Sequence, residues 1–199
     1  MKLDREAGPF LAALALAGIA AAIWAPILLA VLAPATAFTL WFFRDPERVA
    51  PADADAAVSP ADGKIIRSGP DGISVFLNVF DVHVCRSPVR GRVVSVVHVP
   101  GKFVAAFRDE ASEHNERAEI IVEGEEGRTR LVLVAGLVAR RIVCRVRPGQ
   151  VLEAGERVGM IRFGSRVDLV LPGRLAPAVK VGDRVTAGET ILARLRPAT

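Results

Sequence analysis

The chain has 199 residues and weighs 21.2 kDa, which suits one domain with a small appendage. Hydrophobic residues make up 51% of it and the mean hydropathy is +0.35, which excludes a disordered chain. Two cysteines exclude a disulfide-rich secreted module, and a net charge of +4 without a basic run argues against a nucleic-acid partner. The three histidines and two cysteines show no metal-ligand spacing, so we expect no metal site.

The first element is an apolar segment, residues 7–43, which contains 37 residues and no charge. A spanning helix needs about 20 apolar residues, and Pro26 and Pro34 divide the run into shorter halves. Basic residues flank both ends, which favours a helical hairpin with both ends in the cytoplasm, or a re-entrant one. We therefore assign residues 1–43 to an anchor in the cell membrane and residues 44–199 to a domain on the cytoplasmic side.

A secretory signal peptide is the alternative interpretation of the apolar segment. Ala35-Thr36-Ala37 resembles a cleavage site. However, Asp4 and Glu6 precede the apolar run, and the run is too long for the hydrophobic part of a signal peptide. We expect the segment to be retained.

Short β-branched runs, separated by Gly, Pro and Asp, follow Arg44 and predict strands. The runs are residues 73–77, 92–97, 118–122 and 130–134, with an interrupted strand at 137–146. Amphipathic stretches of helical length are missing from this part of the sequence. The predicted fold class is mainly β: a twisted sheet or barrel-sandwich hybrid-like domain behind an N-terminal apolar helical hairpin.

Two internal repeats support the barrel-sandwich interpretation. Ser59-Pro60-Ala61-Asp62-Gly63 matches Ser87-Pro88-Val89-Arg90-Gly91, and Ala154-Gly155-Glu156 echoes Ala187-Gly188-Glu189. The pattern also occurs in swinging-arm carriers, but these need a modifiable lysine, and none follows Lys180. A membrane-anchored structural adaptor without catalysis remains the alternative to an enzyme.

Five motifs in order carry a family resemblance, although each is weak by itself. They are Phe42-Phe43-Arg44-Asp45-Pro46-Glu47-Arg48, Ser59-Pro60-Ala61-Asp62-Gly63, Asp81-Val82-His83 with Ser87-Pro88, Asn115-Glu116-Arg117, and Phe163-Gly164-Ser165-Arg166-Val167-Asp168. Together they resemble the phosphatidylserine decarboxylases, specifically the short bacterial form of this pyruvoyl-enzyme family. The resemblance extends from about Trp41 to the C-terminus.

The resemblance implies a cofactor made from the chain itself. Ser165 would attack the carbonyl of Gly164, and the resulting ester would eliminate, which cleaves the chain between 164 and 165. The new N-terminus would carry a pyruvoyl group, and the fragments 1–164 and 165–199 would remain partners. Phosphatidylserine would then form a Schiff base with that group, lose CO2 and leave as phosphatidylethanolamine. Such a chain is a zymogen of phospholipid biosynthesis.

The resemblance also implies the supporting residues. Asp62 and His83 are the candidates for activating Ser165, and His83 is the candidate proton donor in decarboxylation. Longer family members carry a second histidine where this chain has Arg86, and a guanidinium is a poor base. Either His83 therefore serves both steps, or Asp62 acts through water.

The expected partners are phosphatidylserine and the membrane. Arg44, Arg48 and Arg86 are candidate contacts for the lipid phosphate. The sequence leaves open the lipid backbone and the oligomeric state, a homo-oligomer included.

Overall fold

The computed structural model describes residues 2–24, 28–52, 56–101, 114–136, 141–162 and 165–196. Contacts divide the chain into two compact units, Met1–Glu47 and Arg48–Thr199. The boundary between these units falls close to the predicted end of the anchor at residue 43.

The first unit is a helical hairpin. Helix α1 (Gly8–Trp24) packs against helix α2 (Leu29–Phe42), and a short 3-10 helix, Arg5–Ala7, precedes α1. Strand β1 (Lys2–Leu3) pairs antiparallel with strand β2 (Arg44–Asp45), so the two ends of the hairpin lie side by side. The N-terminal helical hairpin predicted from the sequence is therefore confirmed.

The apolar surface of the hairpin is largely uncovered by the protein. The stretch Arg5–Ala22 is long and apolar enough to cross a membrane, and only 11% of it is buried. Leu29–Phe42 is also apolar but shorter. At the base, Phe43 is buried, with its ring centroid 5.3 Å from that of Phe10. By length and composition the hairpin can enter a membrane.

The second unit is built from fourteen described strands, as the short β-branched runs predicted. They are β3 (Ala56–Val58), β4 (Gly63–Gly69), β5 (Gly72–Leu77), β6 (Val84–Arg86), β7 (Gly91–Val99), β8 (Arg117–Gly124), β9 (Gly127–Ala135), β10 (Ile142–Cys144), β11 (Val151–Leu152), β12 (Arg157–Ile161), β13 (Ser165–Val170), β14 (Leu175–Pro177), β15 (Arg184–Val185) and β16 (Ile191–Leu195). The predicted strand at 137–146 appears as β10 alone, and residues 137–140 lie outside the described residues.

Three antiparallel sheets form the second unit. The largest curls into a half-barrel with the strand order β11-β7-β8-β9-β13-β5-β4-β15. The two smaller sheets have the orders β10-β12-β6 and β14-β16-β3. Inward-facing side chains such as Ile65, Val75, Ile120, Leu133 and Leu169 form one continuous core. This arrangement confirms the predicted mainly β fold class.

The order of the strands reveals an approximate two-fold duplication. The strand order of the large sheet is equivalent from either edge when β11 is matched with β15, β7 with β4, β8 with β5 and β9 with β13. The two small sheets match in the same way. One half, β6 to β12, is continuous in sequence, whereas the other half consists of β3–β5 and β13–β16. The first half is therefore inserted within the second.

The Ser-Pro repeats of the sequence occupy equivalent places in the two halves. The N–H of Val58 donates to the carbonyl of Pro88 at 2.8 Å, and the N–H of Arg86 donates to the carbonyl of Pro60 at 2.9 Å. The residue before each repeat thus donates the same backbone hydrogen bond to the proline carbonyl of the other repeat. The repeats mark the two strand-to-strand crossings where the halves meet.

The glycine turns of the second repeat meet at this same junction. Gly155 and Gly188 have φ values of +78° and +74°, which favour glycine because other residues are strained there. Their N–H groups donate to the carbonyls of Ser87 and Ser59 at 2.8 and 2.7 Å. A Cβ added to Gly155 would lie 3.5 Å from the Cα of Gly188, so the two turns pack closely.

Candidate functional site

Ser165 is the first residue of β13, in the middle of the large sheet. It pairs with Leu77 of β5 on one side and with Ala135 of β9 on the other. The side chain is fully buried, and its Oγ has no hydrogen-bond partner in the part of the chain that the structure describes. Leaving a buried hydroxyl unpaired costs about 1–3 kcal/mol, so such a group requires an explanation. Gly164, the other half of the predicted cleavage site, lies outside the described residues.

The position of Ser165 follows from the insertion of one half into the other. The equivalent strands β8 and β9 form a tight hairpin, in which Glu125 and Glu126 connect them. Strands β5 and β13 also pair, but residues 78–164 separate them in sequence. The predicted cleavage site therefore lies where the inserted half returns to the sheet.

His83 lies fully buried directly before β6. Its Nδ1 is 2.9 Å from the carbonyl oxygen of Asp81. Because a carbonyl only accepts hydrogen bonds, Nδ1 carries a proton, and in the neutral form of the ring Nε2 would hold the lone pair. The ring is thus held in the tautomer whose Nε2 can take up a proton.

The backbone of His83 is also tied to the chain that leads to Ser165. Its carbonyl accepts a hydrogen bond from the N–H of Ile161 at 3.3 Å, at the end of β12. Ser165 follows four residues later. The pairing of β6 with β12 therefore brings His83 beside the segment that contains the predicted cleavage site.

A hydrogen-bonded turn at residues 78–81 connects Leu77, the partner of Ser165, to His83. The N–H of Asn78 donates to Asp81 Oδ2 at 2.8 Å, and the N–H of Asp81 donates to the carbonyl of Asn78 at 3.1 Å. Arg184 Nη2 donates to Asp81 Oδ1. This turn fixes the carbonyl that orients the His83 ring.

Asp62 lies near the same segment. Its carboxylate accepts hydrogen bonds from the N–H of Ala187 at 2.7 Å, from Arg48 Nη2 at 3.1 Å and from the N–H of Val82. Burial raises the pKa of Asp62 above its ordinary 3.8, although the Ala187 N–H and the Arg48 charge act in the opposite direction. Val82 directly precedes His83, so the fold brings both sequence-predicted residues to one segment.

The three arginines suggested for lipid phosphate all contact other parts of the protein. Arg48 contacts Asp62 and, at 3.2 Å, Glu189. Arg86 is buried and donates to the carbonyl of Gly155 at 2.9 Å. Arg44, in the first unit, donates to the carbonyl of Trp41 and lies 4.2 Å from its ring centroid. Of the three, Arg48 is hydrogen-bonded to Asp62.

Asn115 is a neighbour of the site that the sequence offered only as part of a motif. It is fully buried, and its Nδ2 donates to the carbonyl of Ala135 at 2.7 Å. The N–H of Ala135 in turn donates to the carbonyl of Glu116 at 2.9 Å. Since Ala135 pairs with Ser165, this contact fixes the β9 side of the site. The Asn-Glu-Arg motif was the signal that could have identified it.

A cavity of about 640 Å³ lies elsewhere, around the tight β8–β9 turn, and is lined by both Arg90 and Glu126. Ser165, His83 and Asp62 do not line it. No cluster of three or more potential metal ligands occurs among the residues that the structure describes. The side chains of Ser165, His83 and Asp62 offer a hydroxyl, an imidazole and a carboxyl.

Comparison with known proteins agrees with the motifs. The chain matches the family model described as phosphatidylserine decarboxylase over residues 35–71 and 68–193. The phosphatidylserine decarboxylase proenzyme of Desulfotalea psychrophila is 48% identical over 204 residues, which cover 96% of this chain and 95% of the relative. The proenzyme of the same name from Nitratidesulfovibrio vulgaris is 53% identical over 173 residues, which cover 81% of this chain and 80% of the relative.

Proposed function

The chain belongs to the phosphatidylserine decarboxylase family, and on this premise we propose that it converts phosphatidylserine to phosphatidylethanolamine and CO2. We propose that it does so with a pyruvoyl group formed from Ser165. The single observation that carries this proposal is the buried Oγ of Ser165, which lacks a partner among the described residues next to the predicted cleavage site. A hydroxyl in such a place is poised for reaction rather than for structural support.

Cleavage would proceed by the chain's own groups. Ser165 Oγ loses its proton and attacks the carbonyl carbon of Gly164, and the peptide becomes an ester as its nitrogen leaves and is protonated. Elimination then removes the Cα proton of residue 165 and breaks its Cβ–O bond, which leaves dehydroalanine at residue 165 and a carboxylate on Gly164. Water replaces the nitrogen, releases one ammonia, and converts residue 165 to the pyruvoyl group.

His83 and Asp62 supply the proton transfers in this proposal. The tautomer set by the Asp81 carbonyl gives His83 an Nε2 that can accept the Ser165 proton. Asp62, with its raised pKa, can hold or release a proton near Val82. Two assignments remain open: His83 acts in both steps, or Asp62 acts through water in cleavage while His83 acts in decarboxylation.

The site fits the group that family membership implies, because Ser165 stands at the first position of a strand and is closed off by β5 and β9. When formed, a pyruvoyl group supplies a carbonyl that accepts the electrons left by CO2. The described neighbours of residue 165 would hold the group between two paired strands. His83 would provide the proton that replaces CO2 on the substrate.

The two fragments should remain associated after cleavage. Residues 165–199 contribute β13, which pairs on both sides within the large sheet, and also β14, β15 and β16. Removing them would expose the core. We therefore propose that 1–164 and 165–199 act as one enzyme.

We further propose that the hairpin anchors the protein in the cell membrane with the second unit in the cytoplasm. The paired ends of the hairpin and the basic residues Lys2, Arg5, Arg44 and Arg48 around them support this orientation. Arg44, Arg48 and Arg86 remain predicted phosphate contacts. A lipid phosphate would have to share or replace their present protein contacts.

Intact mass spectrometry of the purified protein tests the proposal. We expect two pieces, 1–164 and 165–199, the second lighter than its sequence by the exchange of an N-terminal serine for pyruvoyl. Ser165→Ala should leave one uncut and inactive chain. Ser74→Ala is the matched control, because Ser74 is also buried and pairs with β13, yet should cleave normally. A whole chain that turns over phosphatidylserine would refute the proposal, and a whole, inactive chain would favour the adaptor.

A further inference from the structure

The turn that orients His83 also displays two apolar side chains to solvent. Phe80 is 69% exposed and Val79 is 38% exposed. Single exposed apolar residues are common, but these two are adjacent at the tip of a tight turn. The turn begins after Leu77, the partner of Ser165, and ends at the carbonyl that holds the His83 ring. The exposed tip therefore belongs to the edge of the candidate site.

The polar groups of the turn hold this tip rigidly. Asn78 Oδ1 accepts a hydrogen bond from the N–H of Phe80 at 2.7 Å. Asp81, buried beneath the tip, accepts hydrogen bonds from the N–H of Asn78 and from Arg184. Hydrogen bonds within the turn and from Arg184 thus pair these polar groups, while Val79 and Phe80 are exposed. Such an arrangement lowers the entropy cost of burying these side chains in another medium.

Two cations stand beside the turn. Arg184, which contacts Asp81, lies directly opposite Lys64 in the pairing of β15 with β4, and both are exposed. This edge therefore presents two exposed cationic groups to solvent, of which Arg184 also pairs with Asp81. An apolar tip flanked by cations matches the surface of an anionic bilayer, which has apolar chains beneath charged head groups.

We propose that Val79 and Phe80 insert into the surface of an anionic lipid bilayer, with Lys64 and Arg184 at head-group level. This inference rests on the proposed function, because a lipid substrate must pass from a bilayer to a site around Ser165. The turn brings the edge of that site to the bilayer independently of the hairpin. The occupant of the surface is the lipid bilayer, rather than a second copy of the chain or another protein.

Insertion can be measured without reference to catalysis. The full-length Phe80→Cys variant, in a Cys144→Ser background, is labelled with the environment-sensitive fluorophore NBD and reconstituted into vesicles. Cys85 is buried and will not compete for the label. Val97→Cys is the matched control, because Val97 is 50% exposed on β7 in the other half of the domain.

In vesicles of phosphatidylcholine and phosphatidylserine, we expect blue-shifted emission at position 80 and quenching by spin-labelled lipids, but neither effect at position 97. Quenching should weaken in phosphatidylcholine alone, and equal quenching in both vesicles would overturn the role of Lys64 and Arg184. Emission at position 80 typical of water would overturn the proposal. A blue shift without lipid quenching would overturn it in favour of a protein contact.

Activity provides a second measurement. Phe80→Ser should lower kcat/KM for vesicular phosphatidylserine on the order of tenfold more than it lowers kcat/KM for a short-chain, monomeric phosphatidylserine. Val97→Ser should change neither. Equal losses on both substrates, or no loss on either, would overturn the inference. If the unmodified protein acts on neither substrate, the proposed function fails, while the insertion measurement still decides the inference.

Discussion

The carbonyl of His83 accepts a hydrogen bond from the N–H of Ile161 at 3.3 Å. Ile161 ends a strand of a three-stranded sheet, and Ser165 begins a strand of the eight-stranded sheet. The predicted cleavage site therefore lies where the chain crosses from one sheet to the other, and His83 is fixed to one side of that crossing.

Replacing His83 separates the two chemical steps. His83→Ala should lower decarboxylation by about 10²–10⁴-fold, the usual worth of a positioned acid or base. Intact mass then shows whether cleavage survives. Loss of cleavage would assign His83 to both steps, and survival would assign cleavage to Asp62 or water. His98→Ala, at an exposed position of β7, should leave both steps unaffected. Near-normal turnover by His83→Ala would show that the assignment is wrong.

Asp62 should impose a pH-dependent cost on folding. Its raised pKa means that the folded state binds the proton more tightly than the unfolded state does. This contribution to stability is complete below the ordinary pKa of 3.8 and is lost as the pH rises through the folded-state value. In a Ser165→Ala background, which keeps the chain whole, Asp62→Asn should therefore raise Tm at about pH 7.5 and lose this advantage at about pH 3.

The measurement is thermal unfolding of the two proteins across that pH range. A lower Tm for the Asn variant at neutral pH would mean that the hydrogen bond from Ala187 and the charge of Arg48 outweigh the cost of burial. If Asp62→Asn with Ser165 intact also cleaved poorly, that defect would then be a folding effect rather than a catalytic one.

The paired glycine turns should be equally intolerant of a side chain. Gly155→Ala and Gly188→Ala should each destabilise the fold by about 1–2 kcal/mol, the cost of a left-handed conformation for a residue with a Cβ. At Gly188 the new Cβ would also lie 3.0 Å from Arg86 Cδ. Gly173→Ala is the control, because its Cβ would meet nothing within 4 Å. Denaturant unfolding measures the differences, and unchanged stability would contradict the packing.

The hairpin should be separable from self-cleavage. A chain that begins at Pro46 lacks both helices but keeps Arg48, Asp62, His83 and Ser165, so we expect it to lose membrane association and still cut itself. Vesicle flotation and intact mass measure the two properties. If this chain folds, as circular dichroism reports, but stays whole, the hairpin contributes to the reaction as well as to anchoring.

Neither cysteine should react readily in the folded protein. Burial raises the pKa of the Cys85 thiol to about 12, and burial also raises the pKa of Cys144, which is only partly buried. The thiolate is the reactive form. At about pH 8, iodoacetamide should modify Cys144 slowly and Cys85 only after unfolding. Mass spectrometry of the labelled peptides gives the order, and early labelling of Cys85 would contradict its burial.

Much of the fold could be predicted from local features of the sequence. The charge-free run of residues 7–43 indicated the hairpin. Its signal is local, because apolar side chains and internal backbone hydrogen bonds are properties of one or two helices. The four uninterrupted β-branched runs indicated strands, which the structure extends by one to three residues at one or both ends. Gly155 and Gly188 stood out as matching positions of the second repeat, and glycine tolerates the positive φ that both adopt. Ser165 stood out because of the sequence motif that contains it, and not because of the composition of the chain.

Only the tertiary structure decided how these elements meet. The sequence contained both Ser-Pro repeats. It did not show that the two repeats are joined by backbone hydrogen bonds from Val58 to Pro88 and from Arg86 to Pro60. The sequence suggested Asp62 and His83 as site residues. It did not show that Asp62 accepts a hydrogen bond from the N–H of Val82, next to His83, or that the Asp81 carbonyl sets the His83 tautomer. Strands β5 and β13 pair across an insertion of residues 78–164, and such pairing is selected by the burial of a shared core. That burial depends on all the strands at once, so no local pattern specifies it.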